Sequence, residues 1–293
     1  MAAADVTTEE LRPLLFSLAY RMVGSVGDAE DIVQEAFLRL HRESREVTAP
    51  KPFLAKVVTR LAIDHLRSAR VRREAYVGPW LPEPLVTDAA PGPADQVEDD
   101  QTLSLAFLAM LERLSPVERA VYVLHDLFGF GHRDIADAID KSSANSRQIL
   151  LRARRHVERG RPRFEPSRHE RETLLARFLD AARAGDVQAL VDLLAADAVS
   201  YADGGGRARA TLRPIHGAEK VARLWASIAD PARSGPYTLR FADVNGQPGV
   251  VAFGADGGVT AVLTLEVADG RVRTVWAVVN PDKLARVRYS AAT

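Results

Sequence analysis

Residues 116–157 read PVERAVYVLHDLFGFGHRDIADAIDKSSANSRQILLRARRHV. Val117, Ala120, Val121 and Leu124 recur at three and four residues, which predicts one face of a helix that stops at Phe128-Gly129. Ile135, Ala138 and Ile139 repeat the spacing in a helix too short to stand without packing. Asp140-Lys141-Ser142 supplies turn and N-cap chemistry, and Ser146, Leu150, Ala153 and Val157 form the inward stripe of a third helix. Its outward face keeps Asn145, Arg147, Gln148, Arg152 and Arg155. Helix, break, brace, turn and basic helix are the parts of a helix-turn-helix, whose last helix enters the major groove. Amide side chains pair with adenine there, and guanidinium forks with guanine or phosphate.

The chain of 293 residues is expected to hold two or three domains, and its 47% apolar content is that of a globular protein. It contains no cysteine, which excludes disulfides and thiolate metal sites and agrees with a reducing cytoplasm. No apolar run is long enough to cross a bilayer and the N-terminus lacks a signal pattern, so a cytoplasmic location is expected. No cofactor and no metal are expected.

Formal charge sums to zero but is unevenly spread. Lys56, Arg60, Arg67, Arg70, Arg72 and Arg73 form one basic block, and Lys141, Arg147, Arg152, Arg154, Arg155, Arg159, Arg161 and Arg163 a second. Between them Glu83, Asp88, Asp95, Glu98, Asp99 and Asp100 accumulate with no Lys or Arg from Glu74 to Glu112. Phosphate neutralisation is local, so two cationic surfaces on an anionic connector suggest two contacts with a polyanion. Pro79, Pro82, Pro84, Pro91 and Pro93 with Gly78 and Gly92 are expected to interrupt any regular element from Gly78 to Ala94. Trp80 in this connector needs something to pack on, either the prolines beside it or another domain.

Upstream, Leu11, Leu14, Leu15, Leu18 and Met22 make one helical stripe and Ile32, Val33, Ala36, Phe37 and Leu40 another. A third helix, Phe53 to Arg73, is expected to turn Phe53, Val57, Leu61 and Leu66 inward and its basic residues outward. Asp28, Glu30, Asp31 and Glu35 surround the start of the second stripe, a pattern that also complements a helix dipole.

Asp28 to Leu40 (DAEDIVQEAFLRL), Lys51 to Arg73 (KPFLAKVVTRLAIDHLRSARVRR) and the helix-turn-helix, in that order, resemble an alternative RNA polymerase sigma factor of the extracytoplasmic-function group, over roughly Leu11 to Val157. The resemblance implies two all-α sigma domains and transcription initiation, often in a stress response. It implies that Asp28, Glu30, Asp31 and Gln34 bind the clamp helices of core RNA polymerase, with a further contact at the flap. Arg60, Asp64, His65, Arg67 and Arg70 are implied at the minus-10 element, where an exposed strand is held by a cationic groove. Asn145, Arg147, Gln148, Arg152 and Arg155 are implied at minus-35 promoter DNA. Where the family often carries an apolar residue this chain has Ser146, which is expected to loosen the packing of the last helix or to bond back to its own backbone.

Beyond Pro162 to Pro166 the chain continues with a helix from about His169 to Ala184, a second over Val187 to Leu194, and strand-like runs Val199–Tyr201, Tyr237–Val244, Gly249–Phe253, Thr260–Val267 and Arg271–Val279. Helices followed by an antiparallel sheet predict an α+β unit, which resembles the SnoaL-like cone domains of the nuclear-transport-factor-2 superfold. The domain division is then 1–77, the connector 78–105, the helix-turn-helix domain 106–164 and the cone 165–293. Trp80-Leu81-Pro82-Glu83-Pro84, Asp203-Gly204-Gly205-Gly206 and Asn280-Pro281-Asp282-Lys283-Leu284 look like hallmark motifs of sigma factors with such a domain. Trp80, Leu81, Pro82, Asp203, Asn280, Pro281, Asp282, Lys283 and Leu284 are thus implied in an interdomain contact that regulates the sigma factor in cis.

Three other readings stay open. An enzyme of the cyclase or isomerase kind would use Asp203 as base with Tyr201, His216 or Trp225 nearby, but Asp203-Gly-Gly-Gly reads better as a turn between strands, so no enzymatic activity is expected. The cone could bind a small-molecule effector without turning it over. A conventional repressor would use the helix-turn-helix without polymerase.

Overall fold

The computed structural model describes residues 2–43, 47–88, 101–158 and 166–287. Pro91, Pro93, Asp95, Glu98, Asp99, Asp100, Arg159, Arg161 and Arg163, named above, lie outside the described residues, as do the side chains of Arg70, Arg72 and Arg73. The chain forms two compact units: residues 1–75 with 108–161, and residues 76–107 with 162–293.

In the first unit, α1 (Ala2–Val23), α2 (Val26–Arg42) and α3 (Pro50–Glu74) pack together. The Ser25 hydroxyl accepts the Asp28 N–H and starts α2, while Ile32, Val33, Ala36 and Phe37 turn inward. On α3 the buried stripe is Leu54, Val58, Ala62, Leu66 and Ala69, one position on from the expected Phe53, Val57 and Leu61, which are half-buried. The shift follows from α3 packing on both sides, against α1 and α2 and against the helices of the second half of the unit.

In the second unit the connector supplies β1 (Val86–Asp88), so the expectation of no regular element from Gly78 to Ala94 does not hold. After it, α4 (Leu105–Leu111) leads back into the first unit. There α5 (Pro116–Tyr122) opens with a capping box between Ser115 and Glu118 and runs on as a π turn over Val123–Leu127. The helix-turn-helix is completed by α6 (His132–Ala138) and α7 (Ser143–Glu158). Asp140 takes a positive φ of 52° in the turn, and the Ser142 hydroxyl accepts the Asn145 N–H at 3.1 Å.

Arg119 on α5 fastens the two halves of this unit. The residue is 2% exposed, and its guanidinium donates to the carbonyls of Leu111 at 2.9 Å and Met22 at 2.5 Å, with Glu112 at 2.5 Å as counter-ion. Met22 lies in the last turn of α1, where orphan carbonyls need donors. Burial lowers the Arg119 pKa to about 9, still well above neutrality, so the group stays charged.

The rest of the second unit follows residue 166: α8 (Arg168–Arg183), α9 (Val187–Leu193), β2 (Leu194–Asp203), β3 (Ile215–His216), α10 (Ala218–Ile228), α11 (Pro231–Ser234), β4 (Thr238–Val244), β5 (Gln247–Phe253), β6 (Val259–Ala268), β7 (Arg271–Val278) and α12 (Pro281–Leu284). The expected α+β architecture is present, with each of the five predicted strand runs inside or beside an observed strand. The sheet order is β1-β4-β5-β6-β7-β2-β3, antiparallel except for β2 against β7.

Alternation along the strands separates two buried faces. Ala198, Ala202, Val250, Leu263, Leu265, Val275 and Ala277 pack with Leu174, Phe178, Leu190 and Val221 of the helices and form the core of this domain. Tyr201, Asp203, Val251, Phe253, Val262, Thr264, Trp276 and Val278 point the other way.

Candidate nucleic-acid interface and the linker clasp

Asn145, Arg147, Gln148, Arg152 and Arg155 are all exposed along α7, while Ser146, Ile149, Leu150, Ala153 and Val157 are buried beneath them. The outward residues form the donor-rich face that groove reading requires. Arg154, one residue from this face, forks instead onto Asp126 at 2.9 and 2.6 Å and belongs to the packing. Burial raises the Asp126 pKa, but hydrogen bonds from Arg154 and His125 outweigh it and hold the carboxyl below its ordinary range.

Ser146 is fully buried, and its hydroxyl lies 3.0 Å from His132 Nδ1. The expected bond to its own backbone is therefore replaced by a tie between brace and reading helix. His132 stacks on His125 with centroids 4.7 Å apart, extending the polar seam to Asp126.

On α2, Glu30, Asp31 and Gln34 are exposed and follow one another along the outer face, with Leu38 at 43% exposure on the next turn. Asp28 is half-buried and lies 3.4 Å from His65 Nε2 of α3, so the structure brings a residue of the acidic set to a residue of the basic set. Asp64 and Arg67 pair with each other at 3.2 Å on the exposed face of α3. Arg60 donates into the helix-turn-helix: to the carbonyls of Ala138 at 3.0 Å and Asp137 at 2.9 Å, and to the Asp140 carboxylate at 2.7 Å.

In the second unit the three remaining motifs converge. Asp203, fully buried at the end of β2, accepts the Tyr76 hydroxyl at 2.5 Å and the Leu81 N–H at 2.8 Å, and pairs with Lys283 at 2.7 Å. Lys283 also donates to the Leu81 carbonyl and lies 4.1 Å from the Trp80 ring centroid. Asn280 caps α12 through the Asp282 N–H and donates to the Tyr76 oxygen at 2.9 Å. Burial, with the Asp203 hydrogen bond and charge behind it, raises the Tyr76 pKa, so the phenol keeps its proton.

The glycines after Asp203 have a steric reason. Gly205, at φ 59°, backs onto the Asn280 amide and the Tyr76 hydroxyl, and a β-carbon there would collide with both. Gly206, at φ 72°, lies close against Val77, where a β-carbon would be tight rather than clashing. Leu81 is 2% exposed, and Leu284 is buried beside Lys283. Asp282 sits at the rim, paired with Arg207 at 3.0 Å.

A second fastening was not anticipated from sequence. Asn245 and Gly246 form the tight turn between β4 and β5, both at positive φ (57° and 75°). The Asn245 side chain accepts the Leu85 N–H at 3.0 Å and donates to the Leu103 carbonyl at 3.0 Å, and its backbone N–H reaches the Leu85 carbonyl at 2.8 Å. The Asn-Gly pair between two strand-like runs was the available signal.

Residues 8–72 match the Sigma-70 region 2 family and residues 104–157 the Sigma-70, region 4 family. The chain is 38% identical over 291 residues to the ECF RNA polymerase sigma factor SigJ of Mycobacterium tuberculosis, covering 94% of this chain and 91% of the relative. The chain belongs to the ECF RNA polymerase sigma factors. It is also 35% identical to the probable ECF sigma factor SigI of Mycobacterium tuberculosis, covering 94% of this chain and 93% of SigI. The crystal structure of Mycobacterium tuberculosis SigJ superposes with a TM-score of 0.76 at 35% identity, over 94% of this chain and 96% of that one.

This sigma factor directs RNA polymerase to promoters and initiates transcription, and its two DNA-binding regions are the helical halves of the first unit. Among the described residues no helix is long and apolar enough to cross a membrane. The base suggested for an enzyme is placed differently from that reading. Asp203 is held by three donors on the sheet face away from the helices, and Trp225 of α10 donates to Ser200 at 3.1 Å on the helix-covered face. Tyr201 stacks on Trp276 at 4.7 Å, and His216 is exposed in β3.

Proposed function

We propose that the second unit regulates this sigma factor in cis by holding the connector between the two DNA readers. The observation that carries this is the grip of fully buried Asp203 on Tyr76 and Leu81, reinforced by Lys283. The connector is the covalent tether between region 2 and region 4, and its docked length sets which separations they can reach. A domain that biases such a separation shifts activity by its differential affinity for the two connector states.

Within this reading Glu30, Asp31 and Gln34, with Asp28 at the edge of the patch, engage the clamp helices of core polymerase, and region 4 meets the flap. Arg60, Asp64, His65, Arg67 and Arg70 serve the minus-10 element. Asn145, Arg147, Gln148, Arg152 and Arg155 serve the minus-35 element. Exposure of the α2 and α7 sets supports these roles. Trp80, Pro82, Pro281 and Leu284 shape the docking surface.

The test is run-off transcription with purified core polymerase and three proteins: the full chain, one ending at Phe164 and one ending at Val279. The shorter truncation removes Asn280 and Lys283 while leaving the sheet. Both truncations should alter output on the same promoter fragment, and unchanged output from both removes the regulatory reading.

A further inference from the structure

Arg60 and Lys56 are i, i+4 neighbours on α3, and neither cation is free. Lys56 Nζ lies 2.7 Å from the Asp137 carboxylate and Arg60 lies 2.7 Å from that of Asp140. Asp137 and Asp140 flank the end of α6, where Arg60 also caps the carbonyls of Asp137 and Ala138. Two carboxylates thus present anionic oxygens to Lys56 and Arg60, the chemistry that a nucleic-acid backbone also offers. The Asp137 carboxyl is held below its ordinary range chiefly by the Lys56 hydrogen bond, so it is charged at neutral pH.

The contact is made at the turn that delivers α7. Recognition helices read bases mainly through their N-terminal residues, and Asp140 lies three positions before Ser143, where α7 starts. The Asp137 and Asp140 side chains are 66% and 81% exposed, so these pairs are screened by water and salt and can be exchanged. Arg119 is the opposite case, buried and hydrogen-bonded to the Met22 carbonyl.

We propose that Asp137 and Asp140 form an autoinhibitory latch: they mimic phosphates, occupy Lys56 and Arg60, and hold the helix-turn-helix against α3 until DNA displaces them. Strand binding and latch opening are then reciprocally linked, each favouring the other. The inference rests on the reading of α3 as the minus-10 strand binder.

The experiment uses the full chain and a fluorescein-labelled single-stranded dT15 probe at low salt. Asp137→Asn/Asp140→Asn should bind the probe about tenfold tighter than the parent. The control Asp180→Asn/Asp197→Asn makes the same charge change on exposed positions elsewhere, and equal gains from both variants overturn the latch. The parent has no cysteine, so Lys56→Cys/Asp137→Cys can be bridged cleanly with a bismaleimide. The bridged protein should bind at least tenfold more weakly than the same variant capped with N-ethylmaleimide, and equal affinity overturns the proposal. Arg67→Ala separates the two ideas. If it weakens probe binding while the latch variants behave as controls, α3 binds the strand and the latch is wrong. If it leaves binding unchanged, the strand-binding reading fails and takes the inhibitory role with it.

Discussion

Tyr76 and Asp203, 127 positions apart, meet in a 2.5 Å hydrogen bond inside the second unit. A carboxylate with no exposure needs charge and donors together, and Lys283 and the Leu81 N–H complete the set. Three sequence motifs are therefore one physical object, a buried ion pair with its hydrogen-bond shell.

Asp203→Ala should destabilise the second unit by about 3–5 kcal/mol, because the Lys283 charge loses its partner. Tyr76→Phe, which removes one hydrogen bond to the carboxylate and leaves the ion pair, should cost about 1.5–3 kcal/mol. Urea unfolding of the full chain followed by tryptophan fluorescence measures both, and equal losses would show that the ion pair is not the centre of the clasp.

Lys283→Met keeps the length of the stem but removes the ammonium shared by Asp203, Leu81 and the Trp80 ring. Residues 76–88 should become sensitive to limited proteolysis at least tenfold faster, while the Sigma-70 region 4 half keeps its proteolysis rate. Mass spectrometry of the first cleavage products decides this.

Two neighbouring arginines of α7 should separate cleanly. Arg147→Ala should weaken binding to a promoter fragment with about 1–3 kcal/mol of discrimination lost if it reads a base. Arg154→Ala should leave the salt dependence of binding nearly unchanged and cost about 1 kcal/mol of stability, because its fork goes to Asp126. Titrations at several salt concentrations with parallel thermal melts distinguish them.

Acid should act on region 4 through Glu118 and Asp126. Burial opposes their charge, yet hydrogen bonds from Ser115, and from Arg154 and His125, lower both pKa values in the folded state. A lowered folded pKa contributes stability that is present above the unfolded value, about 4, and is lost as pH falls through the folded value. Melting temperature should therefore fall more steeply below about pH 4 in the parent than in Asp126→Asn. Parallel slopes would assign acid sensitivity elsewhere.

Much of the fold was legible because its signals are periodic. The inward stripe of α7 and the five strand runs follow directly from spacing, whereas α3, which packs on both sides, buries Leu54, Val58 and Ala62 one residue on from the expected stripe. The site was less legible. Motif resemblance grouped Trp80, Asp203 and Lys283, but only geometry shows that Asp203 lies on the sheet face away from the helices and why Gly205 must lack a side chain. Asn245 was missed because its role depends on Leu85 and Leu103, two residues far from it in the chain. Arg60 took its role from the family resemblance and its place in a basic block, and its intramolecular partners Asp137 and Asp140 look like solvated surface in a linear reading.

The strand β1 bears on how such proteins can be recombined. It is encoded ahead of region 4 yet pairs with β4, so the sheet of the last domain is finished by a segment inherited with the first. A gene fusion that joins residues 166–293 to another sigma factor would transfer a sheet with an unpaired outer strand and a buried carboxylate lacking two of its three donors, Tyr76 and the Leu81 N–H. Exposed strand edges of that kind invite aggregation. The transferable piece is discontinuous: the domain travels successfully only with Tyr76 to Asp88, and a recipient must accept both segments or neither.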